Sequence, residues 1–190
     1  TSNFDAGLCS TLLVNDANTK LLILAEEAVD ATTFADSETS PKTITTNGNC
    51  IIHSISNDGN KTNTLILGDT PATSPLSPCI KMDGSGDYLQ LADSPDWDFG
   101  AAADFTLEAW VRWRTVGSTT LINRGGNEWE LLLNAGTLAI VLMNVSIASA
   151  AFSAIANRWY HIAATRRSGV VTLWVDGQIH ASAAGNASDI

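Results

Sequence analysis

The residues of this chain whose types and spacing most invite chemistry are its acids and its aromatic rings. Asp83, Asp87, Asp93, Asp96, Asp98, Asp104 and Glu108 follow one another with no Lys or Arg between Lys81 and Arg112. Carboxylates this dense repel one another unless something compensates them. Calcium is one such counter-ion, because it takes carboxylate and carbonyl oxygens from loops; Asp83, Asp87, Asp96 and Asp98 are its candidate ligands. The other reading is that these side chains hold their own backbone in turns such as Asp83-Gly84 and the run Asp96 to Gly100. The chain has no Asp-x-Asp-x-Asp-Gly loop.

The six tryptophans divide by position. Trp113, Trp159 and Trp174 fall in strand-like runs and are expected in packing, where an aromatic ring contributes a large buried area. Trp97, in a loop between aspartates, and Trp110, on the polar side of its run, are the candidates for stacking on a sugar or on another protein. Glu128 and Glu130 share a strand face by period 2. His161 stands beside Trp159 and Tyr160 without a Ser or Cys nucleophile motif, so it reads as a polar-facing strand histidine. Cys9, Cys50 and Cys79 are odd in number and match no zinc spacing. A Cys50 to Cys79 disulfide would stabilise the fold by about 3 to 4 kcal/mol through the loop it closes; unpaired thiols are the alternative.

The elements that must position these groups are strands. Phe105, Leu107, Ala109, Val111 and Trp113 alternate with Thr106, Glu108, Trp110, Arg112 and Arg114, the mark of a half-buried strand. Further strands are predicted at Thr120 to Asn123, Glu128 to Leu133, Thr137 to Met143, Arg158 to Arg166, Val170 to Val175 and Gln178 to Ala183. Asp176-Gly177 and Ala135-Gly136 sit between alternating runs as hairpin signals. The first half is looser, with strands expected at Leu21 to Leu24, Thr43 to Thr46, Cys50 to Ile55 and Leu65 to Leu67, and a helical turn at Ala25 to Val29. Pro71, Pro75 and Pro78 make Gly68 to Pro78 a loop that cannot pair in a sheet interior. Short, closely spaced strands predict an all-β sandwich. Residues 1–20 read as an arm and residues 21–190 as one β-sandwich domain.

Composition narrows the partners. The 190 residues carry 20 Asp and Glu against 10 Lys and Arg, a formal charge of -10. Nucleic acid is excluded as a partner, because phosphate binding needs a basic face. The longest apolar runs, such as Leu138 to Met143, fall far short of the roughly 20 residues a membrane-spanning helix needs. Charged residues are only 16%, below the roughly 25% of an average soluble domain, so the surface is largely neutral and polar.

Three segments carry a resemblance: Lys81-Met82-Asp83-Gly84-Ser85-Gly86-Asp87-Tyr88-Leu89, Asp93-Ser94-Pro95-Asp96-Trp97-Asp98-Phe99-Gly100, and Asp104-Phe105-Thr106-Leu107-Glu108-Ala109-Trp110-Val111-Arg112. With Trp159-Tyr160-His161-Ile162-Ala163 and Leu173-Trp174-Val175-Asp176-Gly177, they resemble laminin G-like domains of the concanavalin A-like lectin/glucanase superfamily over roughly residues 21–185. The resemblance implies a jelly-roll sandwich of two antiparallel sheets and a domain that binds or assembles rather than catalyses. The Pro-Asp-Trp-Asp-Phe-Gly segment is similar to modules of bacteriophage virion proteins. Retaining glycosidases of this fold carry Glu-x-Asp-x-x-Glu on one strand; Glu128 and Glu130 lack the intervening Asp and the third acid. The family usually continues past its last matched hairpin with a further strand, so one core strand is expected to be missing, and Ala25-Glu26-Glu27 departs from the family's pattern after its first strand.

The expected function is therefore that of a non-catalytic module on an extracellular or virion surface, making attachment or decoration contacts with glycan or protein. The expectation from another class is a structural subunit that joins neighbouring subunits through residues 1–20 and an open sheet edge.

Overall fold

The computed structural model describes residues 17–23, 30–53, 65–67, 70–72, 79–99, 103–125, 128–142 and 145–184. The chain forms two compact units, Thr1–Asp93 and Ser94–Ile190. The arm expected at residues 1–20 lies mostly outside the described residues, and the helical turn expected at Ala25 to Val29 lies wholly outside them.

In the first unit the strands are β1 (Ile44–Asn47), β2 (Ile51–His53), β3 (Leu65–Leu67), β4 (Thr70–Ala72), β5 (Cys79–Lys81) and β6 (Tyr88–Leu91). They pair antiparallel and nested, β1 with β6, β2 with β5 and β3 with β4. Pro71 pairs with Ile66 inside β4, where a loop was expected. A two-stranded ladder leaves both strands with an open side, so a residue without an N–H is tolerated there. Leu21, Leu22 and Ile23 form no strand. Instead the Leu22 amide donates to Asp36 Oδ1 at 2.9 Å and its carbonyl accepts from the Ser37 amide at 2.7 Å. Asp36 is 6% exposed and also accepts from the amides of Glu38 and Lys42. Phe34 and Cys50 are buried together, with Ala31, Ile44, Ile80 and Leu89 packed against them.

Register corrects the expected disulfide. Ile51 lies opposite Lys81 and His53 opposite Cys79, so Cys50 belongs to the far end of the ladder from Cys79. Three residues of offset amount to about 10 Å along a strand, beyond the reach of a disulfide. No bridge joins the two cysteines, and the Cys50 thiol donates to the Asn47 carbonyl.

The second unit contains β7 (Phe105–Arg112), β8 (Thr119–Arg124), β9 (Trp129–Asn134), β10 (Thr137–Leu142), β11 (Val145–Ala151), β12 (Trp159–Arg167), β13 (Val170–Val175) and β14 (Gln178–Ala184). Two four-stranded antiparallel sheets result, ordered β11-β10-β9-β8 and β14-β13-β12-β7. Ala135-Gly136 and Asp176-Gly177 turn two of the hairpins with φ positive at both residues, the geometry a tight two-residue turn demands. The sheets face each other across one core. Leu131, Leu133, Leu138, Ile140 and Leu142 come from one side and Ile162, Val171 and Leu173 from the other, each 0% or 1% exposed. Burying each contributes about 1.5 to 3 kcal/mol. β11 runs beside β14, closing one side of the sandwich. The sole helical piece among the described residues is a 3-10 turn, Pro95–Trp97, capped by Ser94, whose side chain accepts from the Asp96 amide.

Candidate functional site

The alternation of β7 divides its side chains between two environments. Phe105, Leu107, Ala109 and Val111 turn to the core, while Thr106, Glu108, Trp110 and Arg112 lie on the outer face of the sheet. β12 continues that face: His161 lies across from Trp110, Ala163 from Glu108, and Trp159 from Arg112. Trp110 is 48% exposed, and its ring meets the His161 imidazole with centroids 5.2 Å apart. His161 Nε2 stands 3.4 Å from Glu108 Oε2. The hydrogen bond from His161 holds the Glu108 carboxyl below its ordinary pKa, against the opposing effect of burial. Arg112 donates to Asn157 Oδ1 at 3.3 Å. Together these residues offer an indole face, an anionic acceptor and a cationic donor on one face of the sheet.

Trp159 and Trp174 correct the expectation of core packing. Both are half-buried on the outer face, and Trp174 Nε1 donates to Thr165 Oγ1 at 2.9 Å. Trp113 is buried as expected, and Trp129 joins it in the core. Trp97, the other stacking candidate, packs against the core cluster, and its carbonyl accepts from Trp129 Nε1 at 3.1 Å.

The aspartates are drawn into local bonds. Asp83 and Asp87 lie in the first unit. The Asp83 carboxylate accepts from the Ser85 amide at 2.7 Å, which holds its pKa below the usual carboxylate value. Asp87 takes the Asn49 amide on Oδ1 at 2.7 Å and the Asp83 amide on Oδ2 at 2.6 Å. Asp96 and Asp98 lie in the second unit, where Asp96 Oδ2 accepts from the Ser94 hydroxyl and Asp98 pairs with Arg124. Arg124 also pairs with Glu128 at 2.6 Å, and Glu130 accepts from the Thr120 hydroxyl. Among the described residues no three His, Cys, Asp or Glu side chains are grouped to hold a metal ion, and no helix is long and apolar enough to cross a membrane.

The fold defines an all-β sandwich with an aromatic outer face. A family model for laminin G-like domains, described as the concanavalin A-like lectin/glucanases superfamily, matches residues 83–190. The chain belongs to that superfamily, and its architecture is the superfamily's jelly-roll sandwich. Among curated proteins, none matches. Among solved structures the chain is similar to an S-layer domain-containing protein (residues 221-444) from Clostridium thermocellum, at 20% identity and a TM-score of 0.40, over 88% of this chain and 73% of that one.

Proposed function

We propose that this chain is a non-catalytic laminin G-like module that works outside the cell or on a virion surface and attaches its carrier to glycan or protein through the outer face of the β14-β13-β12-β7 sheet. The observation that carries this reading is Trp110, a large indole 48% exposed in the middle of a strand, beside a Glu108 and His161 pair. Exposed aromatic anchors of this kind supply much of the energy of recognition surfaces. The non-catalytic part is supported by Glu128 and Glu130, which are engaged with Arg124 and Thr120 rather than facing each other across a cleft.

The test is retention of the purified chain on immobilised glycans and on whole cells, comparing wild type with Trp110→Ala. Retention of the wild type and its loss in the variant is the expected result. Equal retention of both would move the contact away from this face.

A further inference from the structure

Trp110 stands between two groups of opposite hydrogen-bonding character. β7 places Arg112, Trp110 and Glu108 at every second residue of one face, so the guanidinium and the carboxylate start about 7 Å to either side of the indole's own root. Ala163, across from Glu108 on one side and Trp174 on the other, is only 5% exposed, so the longer side chains around it cover its methyl group and form the surface there.

The charge along the row is balanced, one guanidinium against one carboxylate, on a chain whose formal charge is -10. A polyanion therefore finds no excess of positive charge along the row itself, and a cation drawn to Glu108 meets Arg112. An uncharged ligand suits the row if it has a flat apolar face for the indole and hydroxyls that donate to a carboxylate and accept from a guanidinium. A pyranose ring has both. The two flanking groups are held without being used up. Arg112 gives one bond to Asn157 and His161 steadies Glu108, whereas a guanidinium has five donors and a carboxylate about four acceptor positions.

Resting on the attachment reading above, we infer that the Arg112, Trp110 and Glu108 row is a subsite for one uncharged pyranose unit of a glycan, and that it binds without a metal ion. Affinity electrophoresis in EDTA tests this, with gels containing an uncharged mixed-linkage glucan, a galactomannan or an α-glucan, and with polygalacturonate and heparin as anionic counterparts. The expected result is retardation by at least one uncharged polymer, weakened about tenfold or more in Trp110→Ala and measurably in Glu108→Gln, and unchanged in Val116→Ser, an exposed change in the segment between β7 and β8, off the sheet face. Near-ultraviolet circular dichroism of each variant reports whether it is folded. Retardation by anionic polymers alone, or retardation by an uncharged polymer that Trp110→Ala leaves intact, overturns the inference while the attachment reading stands. A wild type that binds cells or proteins but no polymer does the same. A wild type that binds no glycan, cell or protein overturns both.

Discussion

Glu108 and His161 face each other across the β7-β12 ladder, out of direct register, with Nε2 and Oε2 3.4 Å apart. The imidazole's hydrogen bond makes the folded carboxyl the stronger acid, so its pKa lies below the ordinary glutamate value. A depressed carboxyl contributes stability that is present above the unfolded value of about 4.3 and is lost as the pH falls through the lower folded one. Glu108 is 39% exposed, so solvent screening holds the contribution to no more than about 1 kcal/mol. Thermal melts of wild type and Glu108→Gln should differ slightly at about pH 6 and converge on acidification towards about pH 2. A difference that grows on acidification would assign Glu108 another partner.

Arg166 is a second charge with a structural use. Only 3% of it is exposed, it donates to the carbonyls of Ala103 at 2.6 Å and Phe99 at 3.0 Å, and its guanidinium carbon lies 5.1 Å from the Phe105 ring centre. Burial lowers its pKa and Asp104 opposes the shift. Arg166→Met keeps much of the apolar stem yet leaves both carbonyls without this donor, so a loss of about 2 to 4 kcal/mol is expected in denaturant unfolding. A loss under about 0.5 kcal/mol would show that water replaces the guanidinium at little cost.

Which parts of this fold are legible in the sequence follows from how local each signal is. The alternation from Phe105 to Trp113 and the Asp176-Gly177 turn are local, and both are found in the structure. β11 goes unpredicted because Val-Ser-Ile-Ala-Ser-Ala-Ala has few bulky apolar residues to set a period; Ala148, opposite Ile140, is nonetheless 3% exposed. Trp174 is expected inside because a large aromatic on a strand usually packs there, but its neighbours Leu173 and Val175 take the inward positions. The site is half legible. Trp110 and Glu108 share a face by simple parity, whereas His161 joins them only through a ladder between distant segments, which no local pattern encodes.

The β2-β5 register bears on the cysteines as an experiment. A non-reducing peptide map of the native chain should contain no peptide cross-linked between Cys50 and Cys79, since the offset between them exceeds disulfide reach. Recovering that cross-link in high yield would require the two strands to slip along each other.

Asp87 and Gly48 form a tightly packed point of the first unit, and they also decide what the acidic loop is for. A Cβ built on Gly48 would collide with Asp87 Oδ1, and Gly48 has φ +76°. The close approach exists because Asp87 gathers the amides of Asn49 and Asp83 onto its two oxygens. Gly48→Ala must therefore bear the left-handed strain of about 1 to 2 kcal/mol and also displace the carboxylate from its donors. Asp87→Ala removes the acceptor and leaves two amides to water at this exposed loop, costing about 1 kcal/mol or less for each bond. If holding the loop is the carboxylates' whole role, melts in calcium and in EDTA coincide for the wild type and for both variants, which is the expected outcome. Calcium as a further ligand of Asp83 and Asp87 is the competing proposal. It requires a wild-type melting temperature raised by calcium and an Asp87→Ala variant that no longer responds.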